Sequence, residues 1–198
     1  VHRPEGRDDR GTSLVELLVT AAIVMAAGAI AAPALGGRAS DIAASGAARY
    51  VGALMQRGRF EAIRRSTSVA YRFEPVAGTI RYALFADGNG NGVRTADIGR
   101  GVDSQVSTWE SLSDHFSGVN FAIAPGVTDI DSGSPLSGDP LRIGGSDLLS
   151  FNPTGNATSG TLYLMGRDRQ QYAVRVLGAT ARTRVLRFLP EARQWVQP

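Results

Sequence analysis

The chain has 198 residues, 43% of them hydrophobic, with two histidines, no cysteine and a formal net charge of +3. That length and apolar content provide one membrane helix and one globular domain with its own core, and exclude a disordered chain. The missing cysteine excludes a disulfide framework, a thiolate metal site and a cysteine nucleophile, so the fold stands on packing alone.

Residues 1–11 form a short polar leader with Arg3, Arg7 and Arg10 ahead of an apolar run. Basic residues on this flank direct the N-terminus to the cytoplasm and the bulk of the chain across the membrane. From Leu14 to Leu35 only Glu16, Thr20, Gly28 and Pro33 interrupt the apolar character. A helix of this length rises ~1.5 Å per residue, enough for a hydrocarbon core of ~30 Å. A secretory signal is the rival reading, and Ala32 and Ala34 around Pro33 are compatible with it. Glu16 argues for an anchor instead, because an acid in an apolar helix costs roughly 2.5–3.5 kcal/mol at mid-membrane and is kept where it has a partner.

The order Gly11, Thr12, Ser13, Leu14, Val15, Glu16, Leu17, Leu18 resembles the class III signal of type IV pilins and pseudopilins. The resemblance implies cleavage between Gly11 and Thr12 by a prepilin peptidase, methylation of the new N-terminus at Thr12, and an assembly role for Glu16. Threonine stands where the family usually has phenylalanine. Pro33 occupies the place where pilins commonly kink the helix. In a filament, the Glu16 carboxylate would pair with the Thr12 amino group of a neighbouring subunit, whereas in the plainer reading it snorkels to the membrane surface.

Beyond Gly36 and Gly37, small and apolar residues at Ala44, Ala47, Val51, Leu54, Met55, Gly58 and Ala62 recur every three or four positions. Arg49, Arg57, Arg59, Arg64 and Arg65 lie mostly off that stripe. This predicts an amphipathic helix to about residue 66, laid on a sheet. From Val69 the period shortens, and seven segments read as strands: 68–73, 79–85, 119–124, 148–152, 160–165, 171–176 and 183–189. The clearest hairpin joins 161–165 to 171–176. Between Pro125 and Ser146 lies a Gly/Ser/Pro/Asp-rich run, expected as a mobile loop.

The stretches Ala48 to Ser66, Phe85 to Gly92 and Phe151 to Gly155, followed by a terminal strand pair, resemble the GspH/FimT family of minor pilins and minor pseudopilins. The implied architecture is α+β with a type IV pilin-like fold, a long kinked N-terminal helix packed on an antiparallel β-sheet head. Its divisions are a prepilin leader over 1–11, a transmembrane and filament-core helix over 12–35, and a periplasmic head over 36–198. The implied function is assembly into a type II secretion pseudopilus or a type IV pilus. The partners are other pilin or pseudopilin subunits, the prepilin peptidase and the inner membrane, which the chain crosses once.

Asp87, Asn89 and Asn91 place oxygen donors at the first, third and fifth positions of an EF-hand-like opening with Gly92 at the sixth. Position twelve is Ile98, so Asp97 is the nearest substitute acid for calcium, and the competing reading is a self-capped glycine turn. No other cofactor is expected. His115 beside Asp114 reads as a surface pair, and no nucleophile, base and orienting acid assemble, so no enzyme and no catalytic residues are expected.

Arginine is unevenly spread. Residues 167–198 hold seven Arg against Asp168 and Glu191, while residues 38–166 hold 11 Arg against 12 acids. The run Ala181-Arg182-Thr183-Arg184 resembles the Gly-Arg-x-Arg element with which some FimT-type pilins bind DNA in natural transformation, with alanine in place of the glycine. That resemblance implies DNA contact by Arg182 and Arg184, and Arg167 and Arg169 would join them in sequence-independent, salt-sensitive phosphate contacts. A strand would put Arg182 and Arg184 on one face and Arg187 on the other. The alternative is a charged edge strand that blocks unwanted pairing.

Overall fold

A computed structural model describes the backbone of residues 13–198, and the side chains of that range other than 28–36. The chain divides into two compact units, Val1–Ala39 and Ser40–Pro198. Helix α1 runs Leu14–Arg65. In the first unit its side chains are exposed as far as residue 27, and the large aliphatic ones are no exception: Leu14 is 73% and Val24 69% accessible. The helix continues through position 33, whose side chain lies outside the described residues, as do Gly11 and Thr12. Among the described residues no helix is long and apolar enough to cross a membrane.

In the second unit, α1 buries the stripe expected from its spacing: Ala44, Ala47, Val51, Leu54, Met55, Gly58 and Ala62. Small side chains let backbone approach sheet closely. A Cβ on Gly58 would sit 2.8 Å from the Phe151 ring and 3.0 Å from Tyr71. The helix ends where Ser66 turns to φ 52°, with Thr67 N–H donating to Ala62 O at 3.2 Å and Arg64 and Arg65 gripping Glu61 at 2.7 and 2.9 Å.

The remaining elements are β1 (Val69–Val76), β2 (Thr79–Ala86), α2 (Thr95–Gly99), β3 (Ser104–Gln105), β4 (Glu110–Ser111), α3 (Leu112–His115), β5 (Asn120–Phe121), β6 (Leu141–Arg142), β7 (Leu148–Phe151), β8 (Gly160–Met165), β9 (Gln171–Leu177), β10 (Arg182–Leu189) and β11 (Gln194–Val196). All the strand pairs are antiparallel. One sheet has the order β3-β2-β1-β7, with β4 also on β2; the other has the order β11-β10-β9-β8-β5, with β6 also on β8. The α+β class expected from the sequence is the class observed. The seven anticipated strands are present, β8 with the ends expected and the other six with shifted ends, and β3, β4, β6 and β11 are additions of two or three residues each. Strands that short leave almost no periodic signal.

The core between α1 and the sheets joins Val51 and Met55 to Tyr71, Leu84, Leu149, Phe151, Leu162 and Val174. Two further clusters cover the outer faces. Ala70, Ala83 and Phe85 pack under Val93 and Trp109, and Tyr163, Ala173 and Phe188 pack under Val127, Leu136 and Trp195. This second cover corrects one expectation. The run 125–146 is a packed flap, with Val127, Leu136, Leu141 and Ile143 buried, a bridge between Thr128 and Pro135, and β6 paired to β8. Its scattered apolar residues are what β8 and β9 need, since both strands are buried on both faces.

Candidate functional site

The Asp87 loop is held by its own backbone. Asp87 accepts from Asn89 N and Gly90 N through Oδ1 at 3.0 and 2.8 Å, and from Gly92 N through Oδ2 at 2.7 Å. Burial works to raise the Asp87 pKa, but these N–H groups outweigh it and hold the carboxyl below its usual range. Asn91 donates to Asp97 Oδ2 at 3.2 Å, while Arg100 takes Asp97 Oδ1 at 2.8 Å. Asp103, which the spacing gave no reason to include, is buried and accepts from Gly88 N and Arg94 N. The carboxylate oxygens are thus taken by donors of the loop itself. Among the described residues no three His, Asp or Glu side chains are grouped to hold a metal ion.

His115 does not pair with Asp114. Its Nε2 lies 3.2 Å from Glu110 Oε2, while Asp114 accepts from the backbone N and the hydroxyl of Ser111, as a helix-capping acid does.

The four arginines expected to act together are separated. Arg182 pairs across to Leu177 and Arg187 to Tyr172, so the connection carrying Arg167 and Arg169 lies past the far end of that pairing, ~20 Å along the strands from Arg182. Arg167 folds over Gly118 and donates to the Ser117 hydroxyl at 3.2 Å. Arg187 faces the helix side, bonded to Asp41 at 3.2 Å over the Tyr172 ring. Arg182 and Arg184 share the opposite face and are exposed, as alternation requires.

What the fold does assemble is a different set. Arg175 stands directly across from Arg184 in the β9–β10 register, and both line a groove of about 590 Å³ together with Arg193 from the β10–β11 turn. Leu177, Leu186 and Trp195 supply its apolar wall. Trp195 is fixed by its indole N–H, which donates to Thr128 O at 2.8 Å, and by the Phe188 and Tyr163 rings with centroids 5.2 and 5.7 Å away. The flap supplies acid: Asp131 binds Arg175 at 2.5 Å, and Asp129 lines the same groove. Asp129 is held below the usual carboxylate range chiefly by the Ser132 N–H. Burial, assisted by Asp129, pushes the Tyr163 hydroxyl up to about 12. Arg175 and Arg193 were beyond sequence reasoning because neither lies in the Arg-x-Arg run; only the strand register brings them beside it.

A helix packed by small residues into an antiparallel β head defines the structural class, α+β. Residues 47–181 match the family described as Type II transport protein GspH, and the chain belongs to that family. Among solved structures, the minor pseudopilin EpsH from the Type 2 Secretion System of Vibrio cholerae is similar at 15% identity and a TM-score of 0.44, covering 73% of this chain and 96% of that one. No curated protein sequence matches.

Proposed function

We propose that the chain is a minor pseudopilin subunit of a type II secretion pseudopilus, with a structural and not a catalytic role. The observation that carries this reading is the family match over residues 47–181, which takes in the packed half of α1 and most of the strands. In this reading residues 1–11 are removed by the prepilin peptidase, Thr12 becomes the methylated N-terminus, and residues 12–35 anchor the subunit in the inner membrane before packing into the filament. The head faces the periplasm. The exposed aliphatic residues Leu14, Leu17, Leu18 and Val24 support this, because a helix face with so much apolar surface and no partner among the described residues needs lipid or neighbouring helices around it. Glu16, also exposed, sets the register of packing against the N-terminus of a neighbour.

The test is co-assembly. Glu16→Leu in the full chain should still enter the membrane fraction while its recovery with the other pseudopilins falls by at least ~100-fold, as the ~3–5 kcal/mol cost of leaving one partner of a buried charge pair alone implies. Recovery equal to the unaltered protein would defeat the assembly role. The intact mass of the assembled protein should correspond to a chain starting at methylated Thr12.

DNA binding through Arg182 and Arg184 is the competing reading. The groove beside them weakens it, since Asp129 and Asp131 place negative charge along the path a phosphate backbone would take.

A further inference from the structure

The side of β10 turned away from β9 is only half covered. Arg182–Arg187 pair with β9 on one side, but on the other β11 reaches only Arg187, Phe188 and Leu189. Among the described residues no strand lies against Arg182–Leu186 on that side. These residues leave an edge ~17 Å long, along which alternate residues turn their N–H and C=O groups outward.

We propose that this edge receives an extended acidic segment of a partner polypeptide, which adds to the sheet as a further strand. Three features select that occupant. Arg182 and Arg184 stand exposed on alternate positions of one face, and neither makes an ion pair with a described residue; Arg193 adds a third such charge across the groove. A strand laid along the edge repeats its side chains every second residue, so acids at alternate positions meet this spacing. The groove on the same face offers Leu186 and Trp195, the latter already locked by Thr128, as a preformed apolar wall for a side chain two positions beyond the acids, on the same face of the added strand. Backbone hydrogen bonds would supply affinity, and the arginines and the wall would supply choice.

A nucleic acid fits less well. It has no strand backbone to offer the edge, and a continuous polyanion running along the groove meets Asp129 on the flap, whereas a peptide can confine its acids to the positions facing Arg182 and Arg184. Arginines at an open edge also block pairing with neutral or basic strands, so one device gives both protection and selectivity. This inference deepens the pseudopilin reading by naming the chemistry of a head-domain partner, and it rests on that reading only for what the partner is.

The experiment uses the full chain in detergent micelles and a fluorescent peptide of about seven residues, with two aspartates and then a valine at successive alternate positions and threonines between them, followed by anisotropy across a salt series. Saturable binding that weakens with salt is expected, with a loss of roughly tenfold in the double variant Arg182→Gln, Arg184→Gln. The same peptide with its backbone N-methylated at alternate residues should also bind roughly tenfold more weakly, since it keeps the charge but loses the strand hydrogen bonds. Equal binding of the N-methylated peptide would reduce the site to charge capture and overturn strand addition. So would no binding at low salt, or displacement of the peptide by a single-stranded DNA of roughly 20 nucleotides at lower concentration than by unlabelled peptide. The Glu16→Leu variant should bind the peptide normally. Lost peptide binding with normal co-assembly therefore removes this inference alone, and lost co-assembly with normal peptide binding leaves it standing.

Discussion

Residues 14–27 and 44–62 belong to one helix and meet opposite surroundings. The first stretch carries Leu, Val, Ile and Met with more than half of each surface open, while the second carries mainly Ala, Gly and a few larger residues, and its stripe is almost wholly closed. Hydrophobicity alone would rank the first stretch as the better core. Size complementarity explains the reversal. The second stretch is built for a partner in its own chain, with Gly58 against Phe151 and Gly52 against Val185, and the first meets no apolar partner among the described residues.

The sharpest way to break this contrast is to truncate one large side chain in each stretch. Met55→Ala, in the buried stripe, should lower the unfolding free energy of the head by about 2–5 kcal/mol, because it leaves a cavity among wholly buried neighbours. Leu18→Ala should leave the urea midpoint of the head unchanged and reduce only co-assembly. Equal effects in urea unfolding would erase the distinction.

The glycines give a finer version. Gly58→Ala forces a methyl against two buried rings and should destabilise by about 1–3 kcal/mol, despite the better helix propensity of alanine. Nothing lies within 4 Å of a Cβ placed on Gly37. There the same change should stabilise the helix by up to ~1 kcal/mol, read as higher thermal resistance of the helical circular dichroism signal.

The smallest effect concerns the two helix acids. Glu61 is held below its ordinary pKa by hydrogen bonds from Arg64 and then Arg65, so its contribution is complete above the unfolded glutamate value near ~4.3 and fades as pH falls through the lower folded value. Glu61→Gln should cost about 0.5–1 kcal/mol in urea unfolding at pH 7 and nothing once both states are protonated. Glu16→Gln, at the exposed other end of the helix, should leave the urea midpoint of the head unchanged.

Much of this architecture was legible in the residues. The buried stripe of α1 and the seven main strands follow from periods of 3.6 and 2, which are local properties of the chain. The packed state of 125–146 was not legible, because Val127 and Leu136 obey no period and are buried only with Tyr163, Ala173, Phe188 and Trp195 beneath them, while Leu141 and Ile143, two positions apart, join the core that includes α1. The candidate site divides in the same way. Alternation along β10 put Arg182 and Arg184 on one face and Arg187 on the other, but their company was out of reach. Arg175 arrives through the β9–β10 register, Arg193 through a turn, and Arg167 and Arg169 depart to the opposite end of the sheet.

By itself, then, the amino-acid order determined the class, the long helix with its two contrasting halves, and the alternation of charge along the last long strand, since each depends on neighbours a few positions apart. Only the tertiary structure decided which sheet faces are covered, which arginines share a groove and which edge of β10 stays open. Those outcomes depend on pairings between residues tens of positions apart, and nothing in local spacing encodes them.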